Sequence, residues 1–191
     1  MPQKKLIFDK ARMNDALTDI ASKIIAEFKP GSKGAKPLAL LGIQRQGVPF
    51  AHRLLTKVAE LSGVQLLEGV LDINMYRDDY GSYKKKLPII RETKIPFNID
   101  DCNIIIADDV LASGRSIRAA LDALTDYGRP RLIRLAIMVD RCRYEFPIRS
   151  DYTGFVYKAA VNKKILVEFE ESDGKDGIYE IIWDKAGVFK G

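Results

Sequence analysis

Three short stretches of this chain are apolar at nearly every position: 38–43 (Leu-Ala-Leu-Leu-Gly-Ile), 104–106 (Ile-Ile-Ile) and 132–139 (Leu-Ile-Arg-Leu-Ala-Ile-Met-Val). A strand with one wet face alternates polar and apolar residues. A strand apolar throughout is buried on both faces, as in a parallel sheet covered by helices. The intervening segments supply those helices. Met13, Leu17, Ile20, Ile24 and Phe28 recur at spacings of three and four, which predicts a helix over 11–28, stopped by Lys29-Pro30-Gly31. Pro49 suits the first position of a second helix, whose stripe is Phe50, Leu54, Val58 and Leu61 and whose end is Gly63. Ile117, Leu121 and Leu124 mark a third, ending toward Gly128 and Pro130. Residues 64–75 are strand-rich, and 165–169 and 178–182 read as closing strands. This alternation predicts an α/β fold: a doubly wound, mostly parallel sheet with helices on both faces. The 191 residues suit a single domain over 1–191 with a substantial core.

Composition excludes several classes. No apolar run approaches the roughly 20 residues of a membrane helix. Met1-Pro2-Gln3-Lys4-Lys5 is followed by too short an apolar stretch to read as a signal peptide. Two cysteines, Cys102 and Cys142, form neither a disulfide framework nor a CxxC pair, which fits a reduced, cytoplasmic setting. A single histidine, His52, rules out a His-rich metal site and argues against Ser-His catalysis. The net charge of +5 favours anionic ligands: phosphates, nucleotides or nucleic acid. Residues 77–98 carry many charges, Gly81, Pro88 and Pro96, and no clean period. A loop of that length within a compact domain is a functional lid or a disordered segment.

The chemistry concentrates in Ile104-Ile105-Ile106-Ala107-Asp108-Asp109-Val110-Leu111-Ala112-Ser113-Gly114-Arg115-Ser116. Here an apolar strand is expected to end in two adjacent carboxylates, followed by a small-residue loop and a helix start. Ligands of open α/β sheets bind beyond the carboxyl ends of the strands. A loop of small residues at a helix N-terminus offers free N–H groups to a phosphate. Ser113 and Ser116 add hydroxyl donors, and Gly114 permits close approach. Carboxylates repel phosphate but accept hydrogen bonds from vicinal ribose hydroxyls. The pattern therefore reads as a ribose held by Asp108 and Asp109, with its 5′-phosphate in the loop 112–116.

This segment resembles the phosphoribosyl pyrophosphate (PRPP) motif of type I phosphoribosyltransferases. The wider chain is similar to the PyrR family of pyrimidine-operon attenuators with uracil phosphoribosyltransferase activity. The likeness is carried by Ala16-Leu17-Thr18, Ile20-Ala21, Gly42-Ile43, Gly47-Val48, Leu71-Asp72-Ile73, Tyr76-Arg77-Asp78-Asp79 and Arg118-Ala119-Ala120. It continues through Asp126, Gly128-Arg129-Pro130, Val139-Asp140-Arg141, Pro147-Ile148-Arg149, Asp151-Tyr152 and Gly154. The resemblance implies catalytic roles for Asp108 and Asp109. It implies 5′-phosphate contacts from Val110, Leu111, Ala112, Ser113, Gly114, Arg115 and Ser116. Pyrophosphate contacts fall to Gln44, Arg45, Gln46 and Gly47, joined by Arg77 from a flexible loop over about 77–98. That loop's Lys84, Lys85 and Lys86 would add positive potential. A hood over about 140–160, with the N-terminal segment, places backbone groups of Asp140 and Arg141 at the uracil edge. Mg²⁺ is the implied cofactor, held through PRPP and water without direct protein ligands. The implied partners are PRPP, uracil and UMP, and a homodimer or larger homo-oligomer.

Several positions depart from that pattern. The residue before Gly47 is usually Arg or Gly but is Gln46 here, with Arg45 one place earlier, so either side chain is a candidate for the pyrophosphate. Ala112 stands where purine-using relatives carry an acid and PyrR members a Tyr. It leaves no obvious general base and argues against a purine substrate. Cys142 replaces a usual Gly. RNA-binding members carry Arg and His where Asp19 and Ser22 stand, and Lys at Phe155; Thr18 and Arg149 are the RNA-facing residues retained. The expected reaction is uracil + PRPP giving UMP and pyrophosphate. The alternatives are a nucleotide-sensing RNA-binding attenuator with little catalysis, and a phosphoribosyltransferase for another base.

Overall fold

The computed structural model describes residues 4–78, 92–160 and 162–182. The strands are β1 (Lys5–Phe8), β2 (Leu38–Ile43), β3 (Leu67–Leu71), β4 (Asn103–Leu111), β5 (Leu132–Asp140), β6 (Tyr152–Val156), β7 (Lys163–Glu168) and β8 (Gly177–Ile182). The helices are α1 (Lys10–Phe28), α2 (Gly47–Ser62), α3 (Arg115–Leu124) and the single turn α4 (Glu170–Asp173). Five strands pair in the order β3-β2-β4-β5-β6, all parallel.

The apolar runs explain this sheet. Leu38, Leu40, Ile105, Ala107, Ala136 and Met138 face α1 and α2 in one core cluster. Ala39, Leu41, Ile104, Ile106, Leu135 and Ile137 face α3 in a second. Successive residues of one strand thus serve opposite layers, and the fold is doubly wound as the sequence predicts. Asp9 caps α1 by accepting the N–H of Arg12 at 3.0 Å, and Lys29 ends it in a left-handed conformation. Gly63 ends α2 likewise, at φ 71°.

A second, antiparallel sheet of order β1-β8-β7 joins the α1/α2 side. Ile165, Val167, Phe169 and Ile178 share the core cluster of Met13 and Phe50, and the Phe50 and Phe169 rings stack at 6.4 Å.

Several expectations are corrected. The 104–106 run is only the middle of β4, so Asp108 and Asp109 lie within the strand rather than at its end. Backbone pairing with β5 continues to Leu111 and carries the strand past them. α2 begins at Gly47, which puts Pro49 inside its first turn. Leu61 is half exposed because it falls off the buried stripe of Phe50, Leu54 and Val58. Only Leu67–Leu71 of the 64–75 stretch is a strand, followed by a 3-10 turn at Asn74–Tyr76. The 140–160 stretch expected in the hood contributes β6 to the main sheet. Its alternation of Tyr152 and Gly154 against α1 satisfies an edge strand; the smaller sheet is made from β1, β7 and β8 instead. Most of the 77–98 loop, including Lys84, Lys85 and Lys86, lies outside the described residues. On its return Lys94 pairs with Val70, with both N···O distances 2.8 Å.

The chain leaves β2 toward β3, while β4 lies on the other side of β2. The loops after β2 and β4 therefore diverge, opening a crevice at the switch point. The packing that supports it is close. A Cβ on Gly42 would lie 2.6 Å from Val48 Cα and 2.7 Å from the Gly47 carbonyl oxygen. Both obstacles are backbone and cannot rotate aside. Gly42→Ala is expected to lower unfolding free energy by about 2 kcal/mol or more, read as a reduced urea midpoint at unchanged m-value.

Candidate active site

β2 accompanies β4 only from Leu38↔Asn103 to Gly42↔Ala107. Beyond Ala107, β4 keeps β5 on one side and has the loop 44–47 on the other. Asp108 and Asp109 are the first residues past that break. The loop reaches β4 because Gly47 has no side chain: a Cβ there would lie 2.4 Å from the Ala107 oxygen and 3.3 Å from Asp108 Cα. The backbone access expected of Gly47 is spent on β4 itself. The Gln44–Arg45 peptide is cis.

Asp108 is buried and Asp109 half-buried. Asp108 Oδ1 accepts the Asp109 N–H at 3.1 Å. Burial pushes the Asp108 carboxyl well above the usual carboxylate range, and the adjacent Asp109 charge adds to it, while Arg77 draws it back. Burial raises Asp109 also, opposed by hydrogen bonds from Asp108 and the backbone and by the Lys164 ammonium. Incoming positive charge, whether a metal ion or a cationic sugar, relieves that strain.

The phosphate loop is shorter than the motif. Val110 and Leu111 turn their side chains into the core, and the Leu111 carbonyl accepts the Arg141 N–H at 2.9 Å. Ala112 to Gly114 form the loop proper, and Arg115 and Ser116 are the first residues of α3. Gly114 adopts φ 91°, and no side chain caps α3. The first N–H groups of α3 have no acceptor within the helix, and that of Arg115 lies 3.4 Å from Ser113 Oγ. The Ser113 carbonyl accepts the N–H groups of Glu145 (2.9 Å) and Phe146 (3.1 Å), which pins the following segment over the loop. Arg77 Nη1 donates to Ser116 Oγ at 2.9 Å, placing the guanidinium beside the loop. Arg115 does not turn inward. It binds Glu145 through Nε (3.0 Å) and Nη2 (2.7 Å) and Asp78 through Nη1 (2.9 Å). Only its backbone is left for a phosphate.

The structure holds the Arg45 and Gln46 side chains differently. Gln46 Nε2 donates to Asp173 Oδ2 at 2.9 Å, and its Oε1 lies 2.9 Å from the Ser172 hydroxyl. Arg45 is exposed. Arg45 is therefore the cation that the loop presents.

Asp140 is buried and structural in its side chain. Oδ1 accepts the Cys142 N–H (2.8 Å) and Oδ2 the Tyr144 hydroxyl (2.6 Å). That bond, with burial, raises the Tyr144 phenol. Arg141 Nη2 donates to the Lys163 carbonyl at 2.6 Å and ties β7 to the end of β5. Cys142 sits at φ 53°, the left-handed region that explains the glycine usual there. Arg149 stacks over Tyr144, 3.4 Å from the ring centroid. Thr18 is exposed on α1, its hydroxyl bonded to Asn14 O at 2.9 Å, and the neighbouring Asp19 pairs with Lys23. Thr18 lies on α1 and Arg149 in the segment that enters β6.

Sequence reasoning missed Lys164 beside Asp109, the Ser172 and Asp173 partners of Gln46, and Tyr144. Each depends on the smaller sheet or on a turn without helical or strand period.

These features define a class. Residues 5–171 match the model of the phosphoribosyl transferase domain. Solved structures with this fold include the hypoxanthine-guanine phosphoribosyltransferase of Bacillus anthracis (TM-score 0.69, 13% identity, 95% of this chain and 99% of that one). The hypoxanthine phosphoribosyltransferase of Trypanosoma cruzi is another (TM-score 0.70, 13% identity, 94% and 97%). At that identity the likeness concerns fold alone. Curated relatives are closer in sequence. The bifunctional protein PyrR of Deinococcus radiodurans is 46% identical over 173 residues, covering 91% of this chain and 92% of that protein. The PyrR of Thermus aquaticus is 43% identical over 185 residues, covering 97% and 98%. The chain belongs to the PyrR family of phosphoribosyltransferases. No described helix is long and apolar enough to cross a membrane.

Two measurements check the site's energetics. Above the raised folded titration of Asp108 the folded state bears the full cost of a buried carboxylate. Its folded titration lies above the unfolded one near 3.9, so this cost fades as pH falls from the raised folded value toward about 4. Asp108→Asn is expected to raise the melting temperature at neutral pH, with the gain shrinking across that window; each pH unit between the two titrations is worth about 1.4 kcal/mol. Cys142→Gly is expected to gain about 1 kcal/mol in urea unfolding by relieving the left-handed backbone.

Proposed function

We propose that the protein transfers the phosphoribosyl group of PRPP to uracil, releasing UMP and pyrophosphate. One observation carries the reading: an adjacent carboxyl pair at the switch point, between an uncapped helix N-terminus and a loop presenting Arg45. The 5′-phosphate lies on the N–H groups and hydroxyls of 113–116. The carboxylates accept hydrogen bonds from the ribose hydroxyls, and Arg45 and Arg77 meet the pyrophosphate. The bond from C1′ to the pyrophosphate oxygen breaks as the bond to the uracil nitrogen forms, and that nitrogen loses its proton. Positive charge developing on the ribose faces Asp108 and Asp109, which stabilise it most where it is greatest.

The cofactor reading is Mg²⁺. Among the described residues no group of three or more His, Cys, Asp or Glu could cage a metal. Two hard carboxylate donors beside a phosphate loop suit an ion carried mainly by substrate and water. When bound, Mg²⁺ neutralises charge on the departing pyrophosphate.

Uracil is favoured over purines by the kinship with PyrR and by Ala112, which supplies no carboxyl to a purine ring nitrogen. The attenuator alternative would use Thr18 and Arg149. The Asp19–Lys23 pair beside Thr18 puts a carboxylate where a phosphate-binding cation would be needed and favours the enzyme. The protein would work in the cytoplasm as a homodimer or larger assembly.

The deciding assay supplies Mg²⁺ and PRPP with uracil, orotate, hypoxanthine or guanine and follows nucleotide formation. UMP from uracil alone is expected, lost on chelation. The Asp108→Asn, Asp109→Asn double variant is expected to fall at least ~100-fold in kcat. Undiminished turnover by that variant would sink the mechanism.

A further inference from the structure

We propose that Gln46 is a positioning residue for the pyrophosphate loop, acting through Ser172 and Asp173 on the turn after β7. The proposal rests on the PRPP reading above. It goes beyond it by giving a mechanical role to a residue that does not touch substrate.

The Gln46 amide is held at both ends. Its Nε2 donates to Asp173 Oδ2 at 2.9 Å, and its Oε1 lies 2.9 Å from Ser172 Oγ. Asp173 Oδ2 is also 2.6 Å from Ser172 Oγ and accepts the Phe169 N–H at 3.0 Å. A side chain bound this way does not reach for a ligand.

The turn it grips is itself tied to α1 and α2. Arg53 of α2 binds Glu171 through Nε (2.8 Å) and Nη2 (2.6 Å), and Asp176 through Nη2 (2.6 Å). The Asp176 side chain is 1% exposed, and its Oδ1 also accepts the Glu170 N–H. Lys10 of α1 pairs with Glu170 at 2.6 Å. The Arg53 guanidinium lies 5.1 Å over the Phe169 ring.

These contacts close a ring. The loop 44–47 runs into α2, α2 carries Arg53, Arg53 holds the turn, and the turn holds Gln46. The loop has one other fixed point, the Gly47 backbone against Ala107 beside Asp108. With both ends fixed, the backbone that carries Arg45 is held against β4 at the residue before Asp108.

The ring also restrains a competitor. Asp173 carries negative charge within reach of Arg45. While the Gln46 amide occupies its carboxylate, Arg45 acts on it only through space and stays exposed. Without the Gln46 amide, Asp173 competes with pyrophosphate for the Arg45 guanidinium.

Kinetics and calorimetry on the full chain test this. Gln46→Ala is expected to raise KM for PRPP, and Kd for inorganic pyrophosphate, roughly tenfold, with KM for uracil unchanged. Ser172→Ala, which leaves the Gln46–Asp173 bond, is expected to act in the same direction but less. Adding Asp173→Asn to Gln46→Ala removes the competing charge and is expected to restore most of the PRPP affinity. If Gln46 touched pyrophosphate directly, that addition would restore nothing. A merely structural role would lower the melting temperature and kcat while leaving KM for PRPP alone; either result overturns the proposal. Wild type binding neither PRPP nor pyrophosphate overturns the active-site reading and this proposal with it. Wild type and Gln46→Ala binding both equally well overturns this proposal alone.

Discussion

Gly47 and the Ala107 peptide approach so closely that no side chain fits between them, and the geometry of the crevice follows from this contact. β2 ends at Ile43 while β4 runs to Leu111, and the lost strand partner is replaced by a loop pressed on the sheet edge. A longer β2 would pair over Asp108 and close the crevice. A bulkier residue at position 47 would push the loop 44–47 off β4. The site is thus a consequence of unequal strand lengths at a switch point, held by one glycine.

The same arrangement sets stability against function. Asp108 is buried beside another carboxyl, and its charge is disfavoured in the empty protein. Arg77 and Lys164 offset part of this. The remainder is a standing attraction for positive charge, which the proposed reaction would supply at the ribose. Interactions made stronger in the transition state than in the free protein accelerate chemistry. A fully neutralised pair would be more stable and less useful.

The layers were legible in the sequence because burial on both faces leaves a simple mark. The 38–43 and 132–139 runs became β2 and β5, and their alternate residues serve two core clusters. The Asp108–Asp109 pair and the Ser113–Ser116 loop were legible because their residue types suit nothing else so well. Less was readable where a residue's role depends on a distant partner. Arg115 belongs to the motif, yet its guanidinium is bound to Glu145 and Asp78, 30 and 37 residues away. Val110 and Leu111 sit in the same motif but serve the core, since β4 continues beyond its apolar centre. β1 and β6 carry mixed residues, and only their pairing with β8 and β5 makes them strands.

The two departures from the family pattern nearest the site carry local accommodation. Cys142 occupies a backbone conformation that suits glycine, and its N–H is held by the Asp140 carboxylate, which the Tyr144 hydroxyl also engages. Gln46 stands where an arginine is common, and a hydroxyl and a carboxylate from the turn after β7 take up its amide. A charged residue at position 46 would face Asp173 directly and bind it more strongly, but it would add a second cation to the loop. With a neutral amide there, Arg45 remains the loop's exposed cation, and the partition of charge between loop and turn becomes a property of the smaller sheet.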